Sequence, residues 1–340
     1  MMDIWIWDLV LPAAVWAAHW GAEHLAKPLK KLRQQWGFSV AAGGALVGLA
    51  AASPEIGINI ASASRGVGDI GLGTMLGSNV IAIPVMVVTA YLATRHLKKS
   101  KAKKNHEEHL KEHLLRVDKT AVTVQALPYL VIIAVVAILT VPEPWRGLQP
   151  VDGWIMLGIY ALYLSQALLR GKKDKEQVDW KKKEIALACA GLAVLGLGAY
   201  FTVRATENIV TAMNLSEIVG GLFITAPMAA LPEIFATWSV AKSGQITSSV
   251  TSVIGDHAVT LTIAFFPLAL VGIPVNNFSL FVTVLTFVAL VAILYAFFIH
   301  LGSKNKAYGF TRWQVITLAL LVFVYVGVIS FGILDVLNTQ

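Results

Sequence analysis

Between Phe278 and Ile299 the chain runs for 22 residues without an Asp, Glu, Lys or Arg, and stretches of this kind recur along its length. A bilayer hydrocarbon core about 30 Å thick requires ~20 apolar residues of a helix. Ten such segments are predicted, at 4–25, 38–63, 69–91, 121–141, 152–169, 185–203, 218–241, 246–270, 278–299 and 313–334. Of the 340 residues 56% are apolar and only 14% charged, with a mean hydropathy of +0.69. No single water-soluble core hides that much apolar surface, so lipid is the expected solvent. The first segment carries Asp3 and Asp8 and no basic residue ahead of its apolar run. It is therefore expected to be a retained helix and not a cleaved signal peptide. The single cysteine, Cys189, leaves no intrachain disulfide to form.

The net charge of +7 has a topological explanation that requires no nucleic acid. The connectors after segments one, three, five and nine, with their flanks, hold 23 of the 27 Lys and Arg residues. Only Arg65, Arg146, Arg204 and Lys242 lie elsewhere. Basic connectors stay on the cytoplasmic side, which places both termini on the opposite side.

A shift of 178 residues superimposes the chain on itself without a gap. Gly43 falls on Gly221, Ala51-Ala52 on Ala229-Ala230, Pro54-Glu55-Ile56 on Pro232-Glu233-Ile234, Gly66 on Gly244 and Gly77 on Gly255. The two copies begin five segments apart, at segments two and seven, so they are inverted in the membrane. The predicted fold is an all-α membrane protein of ten transmembrane helices in two inverted five-helix repeats. The first repeat is 1–170, a cytoplasmic linker is 171–184 and the second repeat is 185–340. Inverted repeats with interrupted helices are the architecture of secondary transporters, whose sites lie between the halves.

The Pro-Glu pairs say what such a site holds. Proline has no amide hydrogen and crowds the carbonyl four residues back, so Pro54 is expected to free the Ala50 carbonyl and Pro232 the Met228 carbonyl. In lipid a freed carbonyl needs a partner, and a hard cation suits oxygen. Glu55 and Glu233 follow directly. Two buried carboxylates repel each other and resist desolvation. A divalent cation neutralises both, and two protons or monovalent ions replace it, which is the charge logic of an exchanger. Downstream, Gly77-Ser78-Asn79 aligns with Gly255-Asp256-His257. Asp256 adds a third intramembrane acid, Ser78 and Asn79 offer neutral oxygens, and His257 reads as a hydrogen-bond partner before a ligand.

With GGALVGLAAASPEIGINIASASRGVGDIGLGTMLGSNVIAIP at 43–84 and GLFITAPMAALPEIFATWSVAKSGQITSSVTSVIGDHAVTL at 221–261, nearly the whole chain resembles the sodium/calcium exchangers of the calcium/cation antiporter superfamily. The resemblance implies a site built by helices two, three, seven and eight, and alternating access by sliding of helices one and six. It implies a plasma membrane location, the inner membrane in a bacterium. Carried over residue by residue, it puts the central glutamates on Glu55 and Glu233 and backbone carbonyl ligands on Gly48 and Ala226. The chain departs from the family where hydroxyl residues precede Pro-Glu, for it has Ala51 and Ala52, then Ala229 and Ala230. Asp256 stands where the second repeat usually has Ser, while Ala82 and Thr260 stand where Asn or Asp is frequent. Sodium sites of the family use those hydroxyls, so proton coupling gains attraction, yet the Gly-Asn-x-x-Glu motif of the calcium/proton branch is absent. The coupling ion stays open.

The expected substrates are inorganic cations, calcium or another divalent against Na+ or H+, with no cofactor and no obligate protein partner. Connector 94–120 carries His106, His109 and His113 at helical spacing among Lys and Glu. A basic helix lying on anionic lipid and a cytoplasmic metal-sensing helix both fit it, the first being favoured. Two rival functions remain: a degenerate transporter serving as scaffold or sensor, and an intramembrane hydrolase. Symmetric Pro-Glu placement opposes the second, because an acid and a base need different roles.

Overall fold

The computed structural model describes residues 2–36, 48–95, 113–169, 177–301 and 308–334. The helices, in chain order, are α1 Met2–Trp36, α2 Ser53–Arg65, α3 Gly68–Arg95, α4 Lys119–Thr140, α5 Pro150–Leu169 and α6 Lys182–Ala212. They continue with α7 Glu217–Lys242 and α8 Ile246–Val271, α9 Phe278–Leu301 and α10 Arg312–Ile333. Six of them, α3, α6, α7, α8, α9 and α10, are long and apolar enough to cross a membrane. Shorter apolar stretches lie at Gln125–Thr140 in α4 and Pro150–Leu162 in α5. Segment 38–63 is described only from residue 48 onward, as a short helical turn at 48–51 followed by α2.

The described chain divides into two units. The first comprises Met1–Gly77, Ile138–Ala229 and Gly255–Pro274. Its helices meet through residues with no side chain, as membrane packing favours, since close backbone approach replaces the missing hydrophobic drive. A Cβ on Gly198 of α6 would lie 2.7 Å from the Ala14 carbonyl of α1, and one on Gly191 2.9 Å from the Gly21 carbonyl. In the same unit Gly57 of α2 sits against Ala199, and Gly77 of α3 against Ala226 and the Leu222 carbonyl. At the ends of α1 and α6, Lys31 pairs with Glu184 and the Trp180 indole donates to Gln35 at 3.0 Å. A backbone bridge between Leu148 and Ile273, at 2.9 and 3.0 Å, joins the segments preceding α5 and following α8.

The second unit comprises Ser78–Ala137, Ala230–Ile254 and Val275–Gln340. It contains β1 (Leu114–Arg116), paired antiparallel with β2 (Gly309–Thr311), Leu115 opposite Phe310. Gly309 has no room for a side chain, because a Cβ there would collide with the Leu115 carbonyl. Thr311 then caps α10 in a capping box with Gln314. This pairing departs from the helical reading of connector 94–120. His113 takes a left-handed φ of 53°, and a strand follows; His106 and His109 lie outside the described residues.

Candidate cation site

The first Pro-Glu pair sits at a break. The turn at 48–51 stops at Ala52, and α2 restarts at Ser53 with Pro54 in its first turn, where a missing N–H costs nothing. The Ala50 carbonyl accepts the Ser53 hydroxyl at 2.7 Å, so the acceptor expected to be freed for a cation is taken up locally. In the second half the backbone runs helically from Ala226 through Lys242 across Pro232. The irregularity comes about two turns earlier, as a π turn at Gly221–Thr225. A second π turn, Thr260–Ala264, interrupts α8. Such turns concentrate at functional positions because they misalign carbonyls from the helix ladder.

Starting α2 at Ser53 puts Glu55 in a first turn, the helix end that favours a carboxylate. Its side chain is 4% exposed, and its Oε2 has no hydrogen-bond partner among the described residues. Asp256 on α8, also 4% exposed, brings a carboxylate oxygen within 4.8 Å of one from Glu55. Both belong to the first unit. Two ionised carboxylates at that separation repel by roughly 3 kcal/mol even at an effective dielectric of about 20. A pair so placed calls for a cation or protons. The His257 Nδ1 lies 3.9 Å from Asp256.

The remaining expected positions of the first unit are Gly48, Ala226 and Thr260. The Gly48 carbonyl accepts the Ala52 amide at 2.9 Å, and a Cβ on Gly48 would stand 3.8 Å from the Gly255 carbonyl. Ala226 is fully buried and closes the π turn, its amide reaching the Gly221 carbonyl. The Thr260 hydroxyl donates back to the Asp256 carbonyl at 3.1 Å. Where the family resemblance looks for a hydroxyl, Ala52 offers none of its own and is packed against Tyr160 and Val259.

In the second unit Glu233 is half-buried on α7, and Ser78 and Asn79 are buried on α3. The Tyr129 hydroxyl donates to Asn79 Oδ1 at 2.7 Å. Neither Tyr129 nor Ser53 is singled out by the repeat, since neither has a matching residue in the other half of the alignment.

The sequence matches the family described as sodium/calcium exchanger protein over residues 9–169 and again over 183–331. The chain belongs to that family. No curated protein sequence matches it. Among solved structures it is similar to the sodium-calcium exchanger NCX_Mj soaked with 10 mM Na+ and zero Ca2+, at 19% identity, a TM-score of 0.58, and coverage of 95% of this chain and 99% of that one. The same exchanger soaked with 2.5 mM Na+ and 10 mM Sr2+ matches at 18% identity and a TM-score of 0.58. Its form soaked with 2.5 mM Na+ and 0.1 mM Ca2+ matches at 19% and 0.55. As a sodium/calcium exchanger family member the chain is a membrane cation antiporter and not an enzyme, which sets the hydrolase reading aside.

Proposed function

We propose that this exchanger moves a divalent cation, calcium first among them, against Na+ or H+ by alternating access. The observation that carries the reading is the buried Glu55–Asp256 pair, whose oxygens lie within 4.8 Å of each other. Glu233, the repeat mate of Glu55, supplies the third carboxylate, with Ser78, Asn79, Thr260 and the Gly48 and Ala226 carbonyls as neutral oxygens. Two negative charges are balanced by one divalent ion or two monovalent ones, and this equivalence is what makes exchange possible without leaving charge uncompensated in lipid.

The reading includes ten membrane helices arranged as two inverted halves, 1–170 and 185–340, joined by linker 171–184. Both termini face away from the cytoplasm, in a plasma or bacterial inner membrane, with the basic connectors against anionic lipid. Flux into proteoliposomes tests it, with sodium or proton gradients imposed and calcium, strontium or manganese offered in turn. Gradient-driven uptake of a divalent, abolished by Glu55→Gln, is expected. Absence of divalent movement under either gradient would return the chain to the scaffold or sensor reading.

A further inference from the structure

Asp256 and His257 are consecutive on α8, and consecutive side chains of a helix point about 100° apart. Both are nonetheless buried, 4% and 1% exposed, and His257 Nδ1 lies 3.9 Å from Asp256 Oδ2. That distance is too long for an N–H···O hydrogen bond, which needs about 2.7–3.2 Å. It suits two atoms that share one ion. A zinc-like cation holds imidazole nitrogen and carboxylate oxygen at about 2.0–2.2 Å each, so its two ligands stand no more than roughly 4.3 Å apart. Both residues belong to the unit that also holds Glu55.

The donors around the pair are not those of an all-oxygen cage. Calcium takes about six to eight oxygen ligands. Several backbone oxygens of this unit are taken up within its own helices. Ser53 captures the Ala50 carbonyl, and the Thr262 hydroxyl donates to the Ala258 carbonyl at 2.6 Å and lies 3.2 Å from that of Val259. The two residues ahead of the Pro-Glu dipeptide's preceding position that would bring hydroxyls are alanines in the second half, Ala229 and Ala230, and Ala51 and Ala52 stand opposite them in the first. The residues aligned with Asp256 and His257 are Ser78 and Asn79, whose acceptor atoms are neutral oxygens. The second half carries a carboxylate and an imidazole in their place.

We propose that divalent transition cations, of the manganese, cobalt and zinc class, are further substrates of this site, held by the Asp256 carboxylate together with the His257 imidazole. The proposal rests on the reading of Glu55 and Asp256 as the divalent pair. A hard cation such as calcium takes oxygen and gains little from the ring. A transition cation gains a nitrogen ligand that suits it. His257 therefore sets the rank of the cargo, whereas the carboxylates supply the charge that any divalent needs.

The test uses the full chain, free of any affinity tag and purified in detergent without sodium, titrated separately with CaCl2 and CoCl2. Cobalt bound by Asp256→Asn measures binding elsewhere on the chain, such as at His106, His109 and His113, and is subtracted. Wild type is expected to bind cobalt more tightly than calcium and to take it up in proteoliposomes under the gradient that drives calcium. His257→Asn, which brings in the residue of the first half, is expected to lower cobalt affinity about tenfold more than calcium affinity, the equivalent of ~1.4 kcal/mol. The visible absorption of bound cobalt is expected to change in the same variant. His257→Gln is the second variant, so the test survives if Asn leaves the buried position unfolded. Equal losses for cobalt and calcium, or a cobalt affinity indifferent to either folded variant, would overturn the imidazole as a ligand. Cobalt that binds without being taken up would overturn it as a substrate. Absence of calcium and cobalt binding alike sinks the Glu55–Asp256 reading itself, whereas calcium binding beside a cobalt affinity indifferent to His257 sinks this proposal alone.

Discussion

Glu55 and Asp256 bring carboxylate oxygens within 4.8 Å of each other, although they stand on helices almost 200 residues apart in the chain and each is only 4% exposed. Nothing in the packing of an ion-free protein rewards that arrangement. Close like charges in a dry site cost free energy until a ligand arrives. The cost is recovered on binding, so the empty protein is destabilised at the point where its substrate stabilises it.

This gives a signed prediction for Asp256→Asn. In chelator the variant is expected to melt higher than wild type, by about 1–3 kcal/mol of relieved repulsion and desolvation. With millimolar calcium the order reverses, because wild type gains a ligand and the variant loses one. Thermal scans with and without calcium check both signs. A variant that melts lower than wild type in chelator would show that the pair is not repulsive.

Gly198 argues a prediction about packing. A Cβ there would lie 2.5 Å from the Ala18 amide nitrogen and 2.7 Å from the Ala14 carbonyl, atoms of backbone that cannot rotate aside. Gly198→Ala should separate α1 from α6 and cost about 1–3 kcal/mol, the usual penalty of overpacking. Gly196→Ala, on the same helix with nothing within 4 Å of the added carbon, serves as the control and should leave the melting temperature unchanged or slightly raised. Equal melting of the two variants would mean that α1 and α6 do not pack as described.

Why these contacts escaped the sequence, while the helices did not, is a matter of range. A 22-residue apolar run such as 278–299 declares its helix by length, and the 178-residue shift declares the kinship of Glu55 and Glu233. The β1–β2 pairing joins three residues at 114–116 to three at 309–311. Nothing local marks so short a strand, and the Lys and His around it suggest a helix. Pro54 announced a break correctly, but Ser53 captures the Ala50 carbonyl, and only coordinates show a hydroxyl reaching backward three residues. Pro232, with Leu231 in place of a serine, leaves its helix continuous. The same dipeptide therefore acts differently in the two halves.

Arg65 is one of the four Lys and Arg residues outside the basic connectors, and it ends α2 against α6. Its guanidinium pairs with Glu207 at 2.5 Å, reaches the Tyr200 hydroxyl at 3.0 Å and lies 5.1 Å from that ring. Side chains 23% and 33% exposed are partly screened, so Glu207→Gln should cost no more than about 1 kcal/mol. The loss should shrink further in 1 M salt. If α6 slides past α2 during transport, the same variant changes turnover by more than it changes stability. Stopped-flow flux beside thermal melts distinguishes the two effects, and parallel changes would make the pair a purely structural tie.

The last prediction concerns Asn79, whose Oδ1 accepts the Tyr129 hydroxyl at 2.7 Å, both side chains being completely buried. Tyr129→Phe removes the donor and leaves a buried amide oxygen short of one bond, a loss of about 1–3 kcal/mol. Asn79→Leu removes the acceptor and strands the phenol instead. The double variant discards both groups, so its cost should fall short of the sum of the two single costs by roughly 1 kcal/mol or more. Melting curves of all four proteins measure that coupling. Costs that simply add would mean that the two groups do not depend on each other. Asn79 would then be held by its other contacts, and its oxygen would not be oriented by α4.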